Sequence, residues 1–136
     1  MSRETEEIAA PMLSAIDGFN RGGVESALPF LDPEIEWRAP PEWLEDSVYR
    51  GHEGIRRLSA HWTELFDQYR LELDRVVDAG GDRAVILLNQ HGKIRNSADR
   101  VEAPIGYVVE TRGGLVTRVD IFFSWEQTLE AAGLAV

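Results

Sequence analysis

Three side chains in the second half of the chain could do acid–base chemistry together: Asn89 and His91 in "RAVILLNQHG", and Glu102 in "RVEAPIGYVVET". An imidazole titrates near neutrality, so His91 can take and return a proton. A carboxylate across from it would hold one tautomer, the part open to Glu102. A side-chain amide can donate to a carbonyl or enolate oxygen, which suits Asn89. The same residues also permit a plainer arrangement, a half-exposed His–Glu pair at the end of a sheet. His52 and His61 stand at the start of a helix and among its polar residues, and both are expected at the surface. The histidines show no metal-ligand spacing such as His-Glu-x-x-His, and the chain has no cysteine; no metal and no cofactor are expected.

Whether these groups meet depends on strand register. "RGGL" reads as a two-residue hairpin turn at Gly113-Gly114, where glycine supplies the positive φ angles. It pairs Arg112 with Leu115. Carried back along the strands, the register sets Val108 opposite Val119, Gly106 opposite Ile121 and Pro104 opposite Phe123. A loop over about residues 94–99 lets His91 face Glu102 and Asn89 face Pro104. Alternation then collects Val85, Leu87, Asn89, His91, Glu102, Pro104, Gly106, Val108, Val119, Ile121 and Phe123 on one face. The other carries Ile86, Leu88, Ile105, Tyr107, Val109, Arg118, Asp120 and Phe122. A face exposed to water should be more polar than this second one. A homodimer is therefore expected to bury Ile105, Tyr107 and Phe122, which would be worth several kcal/mol.

The elements that carry these strands follow from periodicity. Ile8, Met12, Ile16 and Phe19 recur at helical spacing over about 4–19, with Pro11 as a kink or a later start; "NRGG" ends the helix. A short second helix uses Val24, Ala27, Leu28 and Leu31. In "DPEIEWRAPPEWLEDSVYRG", Ile35 and Trp37 alternate with Glu36 and Arg38 in a short strand, and a loop with Pro40-Pro41 follows. A third helix after Gly51 has Ile55, Leu58, Trp62 and Leu65 on one face; four strands and a final helix over 125–132 complete the chain. This is an α+β order, a curved antiparallel sheet with helices on one face. Trp37, Trp62, Trp43, Tyr49, Phe123 and Trp125 are numerous enough to line a cavity as well as fill a core, with the Pro-Pro loop at its mouth.

The 136 residues suffice for one domain, 1–136. A net charge of −10 opposes binding to nucleic acid or an anionic membrane surface. "MSRETEEIAAPM" is not a signal peptide, no apolar run reaches membrane-spanning length, and a cytoplasmic protein is expected.

The motifs "FNRGG", "FLDPEIEW", "YRGHEGIRRL", "GGLVTRVDIFF" and "EQTLEAAGL", in that order, resemble the SnoaL-like and ketosteroid-isomerase-like branch of the nuclear transport factor 2-like superfamily. The resemblance implies a cone-shaped fold: three helices on the concave face of a curved sheet, one apolar pocket, and frequent dimers. It implies that the face bearing Asn89, His91 and Glu102 looks into the cone. Val108, Val119 and Phe123, with Trp37, Trp62 and Tyr49, would then contact a small apolar molecule. A cofactor-free isomerase, cyclase or hydrolase is one implied function; a non-catalytic binding or dimerising module is the other. The isomerases of this branch use a tyrosine, an aspartate base and an aspartic acid. Those positions fall here on Ala15, Ala39 and Gly106, so that mechanism is not expected. Nor does "APIGYVV" hold the Arg-x-Asp of the limonene epoxide hydrolase relay. Asp120 resembles the aspartate of SnoaL-type cyclases by strand, but its register points it outward.

Overall fold

The structure is a computed structural model that describes residues 2–39 and 48–134. Trp43 and the Pro-Pro loop fall outside the described residues. Helix α1 (Arg3–Gly22) starts where the Ser2 hydroxyl accepts the Thr5 N–H at 3.1 Å. It runs through Pro11 and stops at Gly23, whose φ of 79° is open to glycine at little cost. Helix α2 (Val24–Ala27) passes into a 3-10 turn over Leu28–Phe30, since Pro29 cannot donate to a longer helix. Strand β1 (Leu31–Arg38), a short β2 (Val48–Arg50) and helix α3 (Gly51–Leu65) follow. Then come β3 (Phe66–Asp78), β4 (Arg83–Ile94), β5 (Arg100–Arg112), β6 (Leu115–Phe122) and helix α4 (Trp125–Ala131), the last capped by Ser124.

The strands form one open, curved sheet in the order β2-β1-β6-β5-β4-β3. It is the expected α+β cone, with one difference. The sheet is mixed, because β6 returns beside β1 in parallel while the other pairs are antiparallel. The long excursion through α3 and the meander makes that parallel pairing possible. Residues 48–50, read from sequence as loop, pair with β1 and set Tyr49 opposite Trp37. Leu65, expected on the inner face of the third helix, is 51% exposed because α3 ends there and β3 begins.

Helices α1 and α3 cover the concave face. Met12, Ala15, Ile16, Ile55 and Leu58 pack there against Ile86, Leu88, Ile105, Tyr107, Val109, Val119 and Ile121. On the opposite face, α4 packs its Ala132 end and Leu129 over Val85, Leu87 and Val108. Gly106 lets α4 approach: a Cβ there would lie 2.7 Å from the Thr128 Cβ.

The register explains which residues face which way. In β4–β5, Asn89 opposes Pro104 and His91 opposes Glu102, as the sequence predicts. In β5–β6, Arg112 does oppose Leu115 and Thr111 opposes Val116, but Glu110 opposes Arg118. Thr117 is therefore an extra residue, a β-bulge. Past it Val109, not Val108, opposes Val119, and Gly106 opposes Phe122. With β6 inward through Val119 and Ile121, the one-residue shift turns β4 and β5 over relative to the expectation. Ile105 and Tyr107, expected at a dimer interface, are thus core residues at 0% and 3% exposure. The apolar surplus on both faces is consumed within the chain, by α1 and α3 on one side and α4 on the other. No helix among the described residues is long and apolar enough to cross a membrane.

Candidate functional site

Between α1, α3 and the concave face lies an apolar cavity of about 80 Å³. Its walls are built from helical spacing on one side and strand alternation on the other. Helix α1 gives Met12, Ala15, Ile16 and Phe19; α3 gives Ile55, Leu58, Ser59 and Trp62; the sheet gives Trp37, Tyr69, Leu71, Tyr107 and Ile121. Asn20 closes the seam between α1 and the sheet edge. Its side-chain amide donates to the Leu71 carbonyl at 2.7 Å and accepts the Leu71 N–H at 2.9 Å, replacing a missing neighbour on the edge strand β3. This gives "FNRGG" a physical role.

The aromatic side chains are mutually oriented. Trp37 and Tyr107 meet edge to face at 5.3 Å between ring centres, and Phe19 and Tyr69 at 6.1 Å. Trp62 lies 5.8 Å from Tyr69 and 6.2 Å from Phe66. A surface cleft shares Phe19, Val24, Ser59, Trp62 and Tyr69 with the cavity, so the mouth lies between the end of α1, α3 and β3. The Tyr69 hydroxyl donates to Gln90 Oε1 at 2.7 Å. Burial pushes its pKa well up, helped by neighbouring Tyr107 and opposed by a hydrogen bond from Trp62. Burial alone pushes the Tyr107 phenol up. Both phenols stay neutral over the physiological range and can donate or accept, but they do not supply a base. No described residue of the cavity wall is a carboxylate, histidine, lysine or arginine.

Of the residues singled out from sequence, Trp37 and Trp62 line this cavity. Asn89, His91 and Glu102 come together, but on the other face of the sheet. The reason is the Thr117 bulge, which moves the inner positions of β4 and β5 onto Ile86, Leu88, Ile105 and Tyr107. There His91 Nε2 is 3.2 Å from Glu72 Oε1 and its Nδ1 is 4.0 Å from Glu102 Oε2. Glu72, which the sequence reading passed over, is the nearer partner; it pairs with Asn89 in β3–β4 and reaches His91 diagonally. Val108 packs with α4 on that same outer face. Val119 and Phe123 belong to the inner core but not to the cavity wall. Tyr49 is fully buried behind the wall, 6.3 Å from the His61 ring and beneath the Arg57 guanidinium at 5.2 Å. Asp120 faces outward, as expected, and accepts from Arg118 Nε at 3.2 Å. Tyr69 and Tyr107 were missed as cavity residues, although Tyr69 alternates onto the Leu71 side of β3; Tyr107 was turned outward by the register expected without the bulge. No cluster of His, Asp and Glu that could hold a metal ion occurs among the described residues.

Comparisons agree with this architecture. The sequence signature of the SnoaL-like domain matches residues 13–119. No curated protein matches the chain in sequence. Among solved structures, TerC co-crystallised with polyporic acid superposes with a TM-score of 0.76 at 21% identity, covering 93% of this chain and 98% of its own. An NTF2-like protein of Burkholderia pseudomallei K96243 gives 0.75 at 19% identity, with 98% of each chain covered. A protein with a ketosteroid isomerase-like fold from Catenulispora acidiphila DSM 44928, in complex with trimethylamine, gives 0.71 at 14% identity, covering 92% of this chain and 93% of its own.

Proposed function

This chain belongs to the SnoaL-like family, and we propose that it binds one small apolar molecule in the cavity between α1, α3 and the sheet. The observation that carries the proposal is the composition of the wall: apolar and aromatic apart from Ser59, without a carboxylate, histidine, lysine or arginine among the described residues. Such a site can desolvate and orient a molecule but has no group to shuttle a proton at neutral pH, so a binding module fits better than an acid–base enzyme. That TerC was co-crystallised with polyporic acid supports the reading that this fold receives a small molecule.

A second reading keeps catalysis. The 3.2 Å approach of His91 Nε2 to Glu72, with Glu102 on its other side, gives an oriented imidazole on the outer face. A cofactor-free enzyme would have to receive its substrate there, beside Asn89 and outside the cavity. A homodimer through the outer sheet face loses the contacts that motivated it, since Ile105 and Tyr107 serve the chain's own core and Phe122 packs in the cluster beside α4.

The experiment is native mass spectrometry of the purified protein for a non-covalent adduct, repeated on Ala15→Phe. Ala15 is buried in the cavity wall, so the larger ring fills the space at a stability cost of about 1–3 kcal/mol. Loss of the adduct in a folded Ala15→Phe protein is the expected result. An adduct unaffected by the substitution would place the bound molecule elsewhere and overturn the proposal.

A further inference from the structure

The polar atoms of the cavity wall are not all engaged. The Tyr69 hydroxyl and the Trp62 indole are used by one another and by Gln90. Outside the cavity, the Trp125 indole donates to the Leu88 carbonyl at 2.9 Å. Trp37 differs from both. It is only 7% exposed and forms part of the wall, yet its Nε1 is buried with no hydrogen-bond partner among the described residues. The Tyr107 ring packs against it at 5.3 Å. A buried N–H left unpaired costs about 1–3 kcal/mol, a cost removed when a bound molecule brings an acceptor.

We infer that the ligand of this cavity is a neutral, mostly apolar compound carrying a carbonyl or equivalent acceptor oxygen, received by the Trp37 indole N–H with the Tyr107 hydroxyl beside it. This rests on the cavity being a binding site and adds the class of molecule it takes. Charge selects the neutral form. No Lys, Arg or His of the described wall could balance a carboxylate or phosphate, and no Asp or Glu could balance an amine. The aromatic faces would attract an alkylammonium ion, but an indole N–H donates only and would be left unpaired beside it. Volume sets the size. The resting cavity of about 80 Å³ is smaller than the roughly 150 Å³ that holds benzene. A five-membered ring or larger therefore enters as the mouth residues Phe19 and Trp62 shift.

The test uses cyclopentanone and cyclopentene, which differ chiefly in the carbonyl, with wild type, Trp37→Phe and Tyr107→Phe. Tyr107→Phe keeps the ring and serves if Trp37→Phe folds poorly. Affinity is followed by ligand-observed NMR, and the Trp37 indole N–H resonance, identified by its loss in Trp37→Phe, is followed in ¹⁵N-labelled protein. Cyclopentanone should move that resonance where cyclopentene does not, and each variant should weaken cyclopentanone about tenfold while leaving cyclopentene unchanged. Equal effects of the variants on both probes would overturn the carbonyl inference and leave the binding proposal standing. Tighter binding of tetramethylammonium than of cyclopentanone would also overturn it. Failure of both rings to bind at millimolar concentration would remove the inference together with the proposal beneath it.

Discussion

His91 and Trp37 exchange importance between sequence and structure. His91 has the more reactive side chain, but it lies on the outer face between Glu72 and Glu102, whose side chains are 53% and 69% exposed. Exposed ion pairs of this kind contribute about 0–1 kcal/mol. His91→Ala is therefore expected to leave cavity binding unchanged and to shift stability by no more than about 1 kcal/mol, read from urea unfolding and probe titration. A large loss of probe affinity would mean that the outer face communicates with the cavity. The ketosteroid isomerase reaction makes a sharper case. Ala15 does line the cavity, Ala39 is buried, and Gly106 faces α4, so no carboxylate stands where a base or acid would act. A Δ5-3-ketosteroid should turn over no faster than in buffer; clear turnover would require a catalytic group among residues outside the described wall.

At the scale of elements, α4 covers the outer face of the sheet. It lies across β4, β5 and β6, and Gly106 is what allows its Thr128 to reach the sheet. Thr128 is itself held, its hydroxyl donating to the Ser124 carbonyl at 2.7 Å, so it cannot easily swing away. Gly106→Ala should cost about 1–3 kcal/mol through overpacking. Most of that should return in Gly106→Ala/Thr128→Gly measured against Thr128→Gly alone, because the obstructing atoms are then gone. Denaturant midpoints of the four proteins form the cycle. A fully additive result would show that α4 does not dock as described.

At the scale of the whole molecule, buried phenols set the alkaline limit of stability. Tyr69 and Tyr107 have pKa values raised above the ordinary 10.0 by burial. The folded chain thus keeps protons that the unfolded chain releases, and stability falls as pH rises above that ordinary value. Unfolding free energy should be steady near pH 8 and fall by about pH 11, with a shallower fall in Tyr107→Phe, as denaturant titrations at each pH would record. An unchanged slope in the variant would mean that Tyr107 ionises freely in the folded protein. On the acid side, Glu25 and Glu36 are lowered by hydrogen bonds from Arg56 and Arg38. They favour folding above the ordinary carboxylate range and lose that effect as pH falls. Glu25 is exposed and Glu36 only partly covered, so the acid-side change is small.

Helical spacing in α1 and α3, alternation in β1 and the Gly113-Gly114 turn are local properties, and local sequence determined them. With the order of the motifs, they were enough for the α+β cone and for Trp37 and Trp62 as inward residues. The β4–β5 register was also legible, because the short loop at 95–99 leaves little freedom in pairing His91 with Glu102. What sequence could not determine was which side of that ribbon faces the helices. Both sides are apolar, since α4 covers one and α1 with α3 the other, and so hydrophobicity alone does not choose. The choice passes to one extra residue, Thr117, whose bulge inverts β4 and β5 relative to β6. Nothing in "LVTRVD" distinguishes a bulged threonine from a paired one. Only the packing of β6 against β1 and the helices fixes it, and with it the removal of His91 from the cavity and the arrival of Tyr107 beside Trp37.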